Sequence, residues 1–209
     1  MKMKKITFLL TFVLLSVAVT TLGQETGTFT DSRDKQVYKT VKIGGQYWMA
    51  ENLAYKPNDS VALSYDLSKT NGANYGVLYT WYSAKKACPA GWHLPTIKEW
   101  EVLINYLGGE KEAGKKLKSK SGWYKNGNGT NESGYEGLPG GSFLTHIKMF
   151  SGIGKSGNWW SSQDKNDKMG FAINPTDYGV SYGMGWEYDT FSAGFLSEGD
   201  CASVRCIKD

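Results

Sequence analysis

Residues 84–100 read Ala84-Lys-Lys-Ala-Cys88-Pro89-Ala-Gly-Trp92-His93-Leu94-Pro95-Thr96-Ile97-Lys-Glu99-Trp100. Cys88-Pro89 stops a short helix predicted over 81–87, because proline has no amide hydrogen to give and its ring clashes with the preceding turn. Thr96-Ile-Lys-Glu99 is a capping box: the threonine hydroxyl accepts from the backbone of Glu99, and the Glu99 carboxylate reaches back to the amide of Thr96. Ile97, Trp100, Leu103, Ile104 and Leu107 follow at helical spacing as one apolar stripe, and Gly108-Gly109 closes it. The spacing therefore predicts a helix over 97–107. A second cysteine stands in Ser203-Val-Arg205-Cys206-Ile-Lys-Asp209, which reads as a strand.

At the other end of the chain, residues 1–23 read as a signal peptide. Lys2, Lys4 and Lys5 precede the apolar run Ile6 to Val19, and Thr21-Leu-Gly23 offers small residues for cleavage before Gln24. The run is about 14 residues long, short of the roughly 20 that cross a bilayer. The expected location is outside the cytoplasm: periplasmic, cell-surface or secreted, with no membrane span in the mature chain. The whole chain carries 24 basic and 20 acidic side chains. Three of the lysines lie in the leader, so the mature chain is close to neutral, which argues against a nucleic-acid partner. Lys111 to Lys120 is a local basic run, read as a solvated helix end. With 26 glycines, 8 tryptophans and 13 tyrosines, the composition predicts many turns and long ordered loops held by aromatic rings.

Three cysteines, at 88, 201 and 206, suggest one disulfide and one free thiol in an exported chain. If 201–206 is extended, its two cysteines stand roughly 16 Å apart, and a bridge needs Cα atoms within about 7 Å. Alternation puts Ala202, Val204 and Cys206 on one face and Cys201, Ser203 and Arg205 on the other. The first face is the apolar one, so Cys206 is the better partner for Cys88 and Cys201 the expected free thiol.

Between these anchors, Val37 to Ile43 and Gln46 to Met49 flank Gly44-Gly45 and read as a hairpin. Residues 57–76 and 126–134 read as polar loops. Short strands are expected over 142–148, 168–174, 179–182 and 202–207. There is neither an internal repeat nor a linker, so residues 24–209 are expected to form a single domain.

Several of these runs together resemble a known family. They are Ile43-Gly-Gly-Gln-Tyr-Trp-Met-Ala-Glu51-Asn52-Leu53, Tyr75-Gly-Val-Leu-Tyr79, Cys88-Pro-Ala-Gly-Trp-His-Leu-Pro-Thr96, Glu99-Trp100, Leu107-Gly-Gly109, Asn131-Glu-Ser-Gly134, Gly137-Leu-Pro-Gly-Gly141, Trp159-Trp-Ser-Ser162 and Ser203-Val-Arg-Cys206. In order and spread they resemble the Fibrobacter succinogenes major paralogous domain, from about residue 34 to residue 209. That family is similar to the C-type-lectin and formylglycine-generating-enzyme folds. The resemblance implies an α+β chain with a C-type-lectin-like fold: two helices on a small, twisted, mostly antiparallel sheet, followed by a long loop-rich region. Two features depart from the family pattern, a cysteine at position 201 and a compact segment over 149–157.

Catalytic constellations are scarce. His93 and His146 are far apart and lack partners at ligand spacing, and His93 is read as a structural imidazole. No phosphate loop or zinc-protease helix is present. Cys201 and Cys206 could suit a copper oxidase of the formylglycine-generating type, since soft thiolates take Cu(I), but the strand alternation sets their sulfurs on opposite faces. Asp164, Asn166 and Asp167, with Asn174 and Asp177 nearby, are the calcium candidates; calcium needs six to eight oxygens, and the Glu-Pro-Asn pattern of calcium-dependent lectins is absent. The leading functional candidates are aromatic: Trp159, Trp160, Tyr178, Tyr182, Trp186 and Tyr188. Flat rings among glycine, amide and carboxylate neighbours suit sugars, whose C–H groups stack on a ring while their hydroxyls hydrogen-bond. The expected function is thus non-catalytic binding of a glycan or other surface polymer. A structural or protein-binding module is the first alternative and a redox enzyme the second.

Overall fold

The computed structural model describes residues 24–58, 61–164 and 178–209, apart from the side chains of 163, 164 and 178. The proposed leader therefore lies outside the described residues, as does the strand expected over 168–174.

The hairpin and the capped helix form as their sequences dictate. In chain order the strands and α-helices begin with β1 (Thr26–Thr30), β2 (Val37–Ile43), β3 (Gln46–Met49), β4 (Ala62–Leu63), α1 (Lys69–Tyr75), β5 (Leu78–Thr80) and α2 (Trp81–Ala84). Next come β6 (Trp92–His93), α3 (Ile97–Tyr106) and α4 (Glu110–Leu117). The remainder is β-structure: β7 (Gly140–Leu144), β8 (Met149–Ile153), β9 (Ser156–Asp164), β10 (Tyr178–Gly185), β11 (Ser192–Ser197), β12 (Cys201–Ser203) and β13 (Ile207–Lys208). The chain is mixed α+β, dominated by sheet.

There are two sheets where one was expected. The first runs β1-β2-β3-β13-β6; the second runs β11-β10-β9-β7-β12-β5-β4, with β8 added on β7. Pairing is antiparallel apart from the contacts of β9 with β7 and with β12. β2 and β3 pair with Ile43 opposite Gln46, and Gly44 takes φ 59°, a turn conformation that glycine adopts without steric penalty. In α3 both halves of the capping box are present, with Glu99 Oε2 accepting from the Thr96 amide at 2.8 Å.

The expected strand over 202–207 is in fact two strands in two sheets. β12 pairs with β5, and β13 pairs with β3 and β6. Val204-Arg205-Cys206 carries the chain from one sheet to the other, and every residue from 201 to 207 is buried. The expectation of one inward and one outward face fails here because both sides of the segment are covered. The Cys88–Cys206 disulfide does form, with Cα atoms 5.9 Å apart, and Cys201 is the free, buried cysteine.

Other expectations need correction. Residues 57–76 are not all loop. They contain β4 and α1, the latter capped by Ser68, whose side chain accepts from the Asn71 amide. No residue of α1 is buried, so it lacks the apolar stripe by which a helix is recognised. The basic run at 111–120 lies mostly in α4, which buries Ala113, Gly114 and Leu117. The helix expected over 81–87 shortens to α2. The strand expected over 142–148 ends at Leu144, and the compact segment over 149–157 is β8 with the start of β9.

Three apolar clusters fill the interior. The largest joins Val41, Ile43 and Trp48 of the first sheet to α3, α4 and the inner face of β9 and β10. Trp100 is its hub, stacked on Tyr182 at 5.4 Å and near Trp48 at 4.8 Å. A second cluster gathers Tyr38, Trp81, Trp92, Trp160 and Cys206; a third gathers Tyr65, Leu78 and Cys201. Where the sheets meet, the Arg205 guanidinium is fully buried. It donates to Asn52 Oδ1 from Nη2 (2.7 Å) and Nε (3.1 Å), and to the backbone carbonyls of Met49, Tyr135 and Glu136. Trp159 Nε1 donates to the same Asn52 oxygen at 2.8 Å.

Candidate functional site

The segment expected to be a loop-borne aromatic site, 159–190, is largely sheet, and strand alternation sorts its residues. On β10, Val180, Tyr182 and Met184 point into the main core. Ser181, Gly183 and Gly185 point the other way, as do Ser156 and Asn158 on β9 and Ser192 and Gly194 on β11. The register aligns Ser156 with Gly185, Asn158 with Gly183 and Ser192, and Ser181 with Gly194. The result is an open trough of about 520 Å³, walled by hydroxyl and amide groups and bounded by Tyr188 and Thr190.

Glycines form its floor. A Cβ at Gly185 would meet nothing within 4 Å, and one at Gly194 only Ser181 Oγ at 3.9 Å. Asn158 donates to Ser142 Oγ at 3.1 Å, which leaves its carbonyl oxygen over Gly183.

Helix α4 holds the bounding segment in place. Phe191 N–H donates to Glu110 O at 2.8 Å, and the backbone at Asp189 lies so close to Gly114 that no side chain fits between them. Lys118, 1% exposed, donates from Nζ to Tyr188 O at 2.6 Å, with Asp189 Oδ1 3.7 Å away. Burial pushes the Lys118 ammonium below its ordinary pKa, and Asp189 opposes that shift.

Beyond Ser156 and Gly185 the chain continues into a corner of two aromatic rings. Tyr124 and Trp186 meet edge to face, centroids 5.3 Å apart at 90°. Tyr124 is 46% exposed and Trp186 half-buried. Backbone hydrogen bonds fix the corner: Tyr124 N–H to Gly154 O (2.7 Å) and Trp186 N–H to Lys155 O (2.9 Å). Lys125 and Lys155 carry their ammonium groups over these rings.

Of the sequence-predicted aromatics, three are interior. Trp159 and Trp160 are 0% exposed and Tyr182 1%. Trp159 donates its indole hydrogen to Asn52, and Trp160 donates its own to Tyr79 O at 2.6 Å. Rings packed inside the cores are framework, so these three do not offer faces to a sugar. Trp186 borders the site, and Tyr188 is 66% exposed on its rim. Tyr178 and Asp164 take part in strands through their backbones, while their side chains lie outside the described residues, as do Asn166, Asp167, Asn174 and Asp177. Sequence reasoning missed Tyr124, Lys125, Lys155 and the trough itself. The signal was present in Gly179-Val-Ser-Tyr-Gly-Met-Gly185, where small and large residues alternate strictly.

The remaining candidates are tied into structure. His93 Nδ1 lies 2.6 Å from Asp209 Oδ1 and Nε2 2.8 Å from Glu99 Oε1. Partial burial alone pulls this imidazole down, but the two carboxylates outweigh it and its pKa is raised. Burial pushes the Cys201 thiol up to about 12, and Cys206 is in the disulfide, so the two do not present a thiolate pair. A second recess, of about 460 Å³, is lined by Lys39, Glu51, Asn74 and Glu136 among others. Its acids serve the fold: Glu51 Oε2 accepts from Lys39 N–H at 2.7 Å, and Glu136 accepts from Asn131. Among the described residues no three His, Cys, Asp or Glu side chains could hold a metal ion, and no helix is long and apolar enough to cross a membrane.

No curated protein and no solved structure matches the chain. A family model for the Fibrobacter succinogenes major domain matches residues 41–208, from the second half of β2 through β13, and the chain belongs to that family.

Proposed function

We propose that the protein is an exported, non-catalytic binding module of C-type-lectin-like fold that takes a glycan along the β9–β10–β11 trough. The observation that carries this reading is the trough: the side chains of Ser156, Asn158, Thr190 and Ser192 around a glycine floor, with an exposed tyrosine at the rim. Sugars present hydroxyls at close intervals, and a binding surface for them needs oriented polar groups beside an aromatic edge. The floor is pre-formed, because β9, β10 and β11 are hydrogen-bonded along its length. The disulfide favours an oxidising compartment and so favours export. The buried, high-pKa thiol and the paired histidine weigh against a catalytic role.

The test is a glycan array on the purified protein, run with calcium and again with chelator, alongside Gly194→Leu. That substitution fills open space in the trough, and a leucine suits an extended strand better than glycine does. Loss of binding with an unchanged or higher melting temperature is the expected result. Dependence on calcium would bring the Asp164–Asp167 segment into the site.

A second reading, a protein-interaction module, is favoured by Phe195. It is 45% exposed on β11, the outermost strand of its sheet among the described residues. Exposed strand edges bind extended peptides by adding a strand. Silence on the array from folded protein would favour this reading.

A further inference from the structure

We infer that the Tyr124–Trp186 corner recognises anions, and that the glycan lying in the trough is acidic, carrying uronate carboxylates or sulfate esters. The inference rests on the glycan reading above and names the substrate class for the same site.

The charges at the corner are unusual in how they are placed. Lys125 Nζ stands 5.5 Å from the centres of both rings, and Lys155 Nζ stands 5.0 Å from that of Tyr124. Two like charges are thus gathered round one phenol ring. Both lysines are exposed, and among the described residues neither forms an ion pair. Glu187, the acid nearest in sequence to Trp186, is exposed and pairs with neither. Among the described residues only two lysines have an acid partner, Lys42 with Glu25 at 3.1 Å and Lys118 with Asp189 at 3.7 Å; what sets Lys125 and Lys155 apart is that they share one ring. Aromatic faces attract a cation without neutralising it. Among the described residues no acid side chain pairs with either lysine of the corner.

The corner is also rigidly set. Lys125 (φ 47°) and Asn126 (φ 61°) are consecutive non-glycine residues in the left-handed region, which asparagine enters readily and lysine seldom. Hydrogen bonds hold them there, from Gly127 N–H to Tyr124 O (2.9 Å) and from Trp123 N–H to Asn128 Oδ1 (3.0 Å). The lysine is therefore presented from a fixed backbone.

Continuity with the trough selects a glycan over other anions. Ser156 and Gly185 are register partners at the end of the trough, and the adjoining residues in the chain are Lys155 and Trp186. A polysaccharide whose hydroxyls lie along Ser156 and Asn158 brings an acid group on its next sugar towards the two ammonium groups. Both ammonium groups take carboxylate and sulfate alike, as point charges with several donors.

The experiment is affinity electrophoresis of the purified protein through gels containing polygalacturonate, a sulfated galactan or an uncharged galactan, at low and high salt. Co-sedimentation with phosphatidylglycerol vesicles runs in parallel. The expected result is retardation by the acidic polymers, weakened by salt. Lys125→Gln and Lys155→Gln should each weaken it about fivefold, with unchanged thermal melts. Comparing polygalacturonate with the sulfated galactan identifies the acid group. Equal retardation by the uncharged galactan, insensitive to salt and to both substitutions, would overturn the anion inference and leave the trough reading standing. No retardation by any polysaccharide would remove both. Capture by the vesicles without retardation in any gel would overturn the inference in favour of an anionic lipid surface.

Discussion

Arg205 and Lys125 are both cations against tyrosine rings, and they stand at opposite extremes of this molecule. The Arg205 guanidinium lies 4.1 Å from the centre of the Tyr135 ring, fully buried, with its donors directed at Asn52 and backbone carbonyls. Lys125 lies over Tyr124 in solvent, with rings near it and, among the described residues, no acid paired to it. The same contact chemistry serves cohesion where every donor is matched inside the chain. It is available for recognition where the match is left open.

The sharpest way to break the comparison is at Asn52. Asn52→Leu leaves the buried guanidinium and the buried Trp159 indole without their shared acceptor. It should destabilise the fold by about 3–5 kcal/mol, read as a fall in the urea midpoint. Lys125→Gln, at the other extreme, should shift the same midpoint by less than about 0.5 kcal/mol. Similar losses for the two would show that burial does not separate these cations.

Next in size is the disulfide, which ties the turn after α2 to the crossing segment beside Arg205. Cys88→Ala with Cys206→Ala should cost about 2–4 kcal/mol, because the bridge closes a long loop in the unfolded chain. Thermal melts of the native protein and of the double variant measure it.

A smaller effect than the disulfide's belongs to His93, whose side chain is 38% exposed, between the two extremes. Its pKa is raised in the folded state, so its pairing stabilises fully below about pH 6.5, the unfolded value, and fades as pH rises through the folded one. His93→Gln should therefore lower the melting temperature most in mild acid and least in mild alkali. A gap that widens with pH would contradict the assignment of Asp209 and Glu99 as its partners.

Local chemistry written in consecutive residues is legible in the chain alone. Thr96 and Glu99 specify one end of α3, Gly44-Gly45 specifies a hairpin, and both appear where expected. Position across the fold is not legible in this way. Trp159 and Trp160 look like surface aromatics among polar neighbours, yet each faces a different core, because β9 is covered on both sides over this stretch. Alternation then loses its meaning as a signal for the surface. Arg205 reads as an exposed charge, since nothing local announces acceptors contributed from residues 49, 52, 135 and 136. The trough escaped notice because glycine and serine register as turn formers in sequence. Only the pairing of β9, β10 and β11 turns them into a floor.

Residues 201–208 thread through both sheets, and this sets an order of events. β12 joins β5, β7 and β9, and β13 fills the gap between β3 and β6. Neither sheet can close until this stretch has been synthesised. Closing the sheets must wait for residues 201–208 and brings distant segments together, which is slow. Under the export proposed above, a nascent protein that stays open until late remains threadable through a narrow channel, and the lock is applied only on the far side.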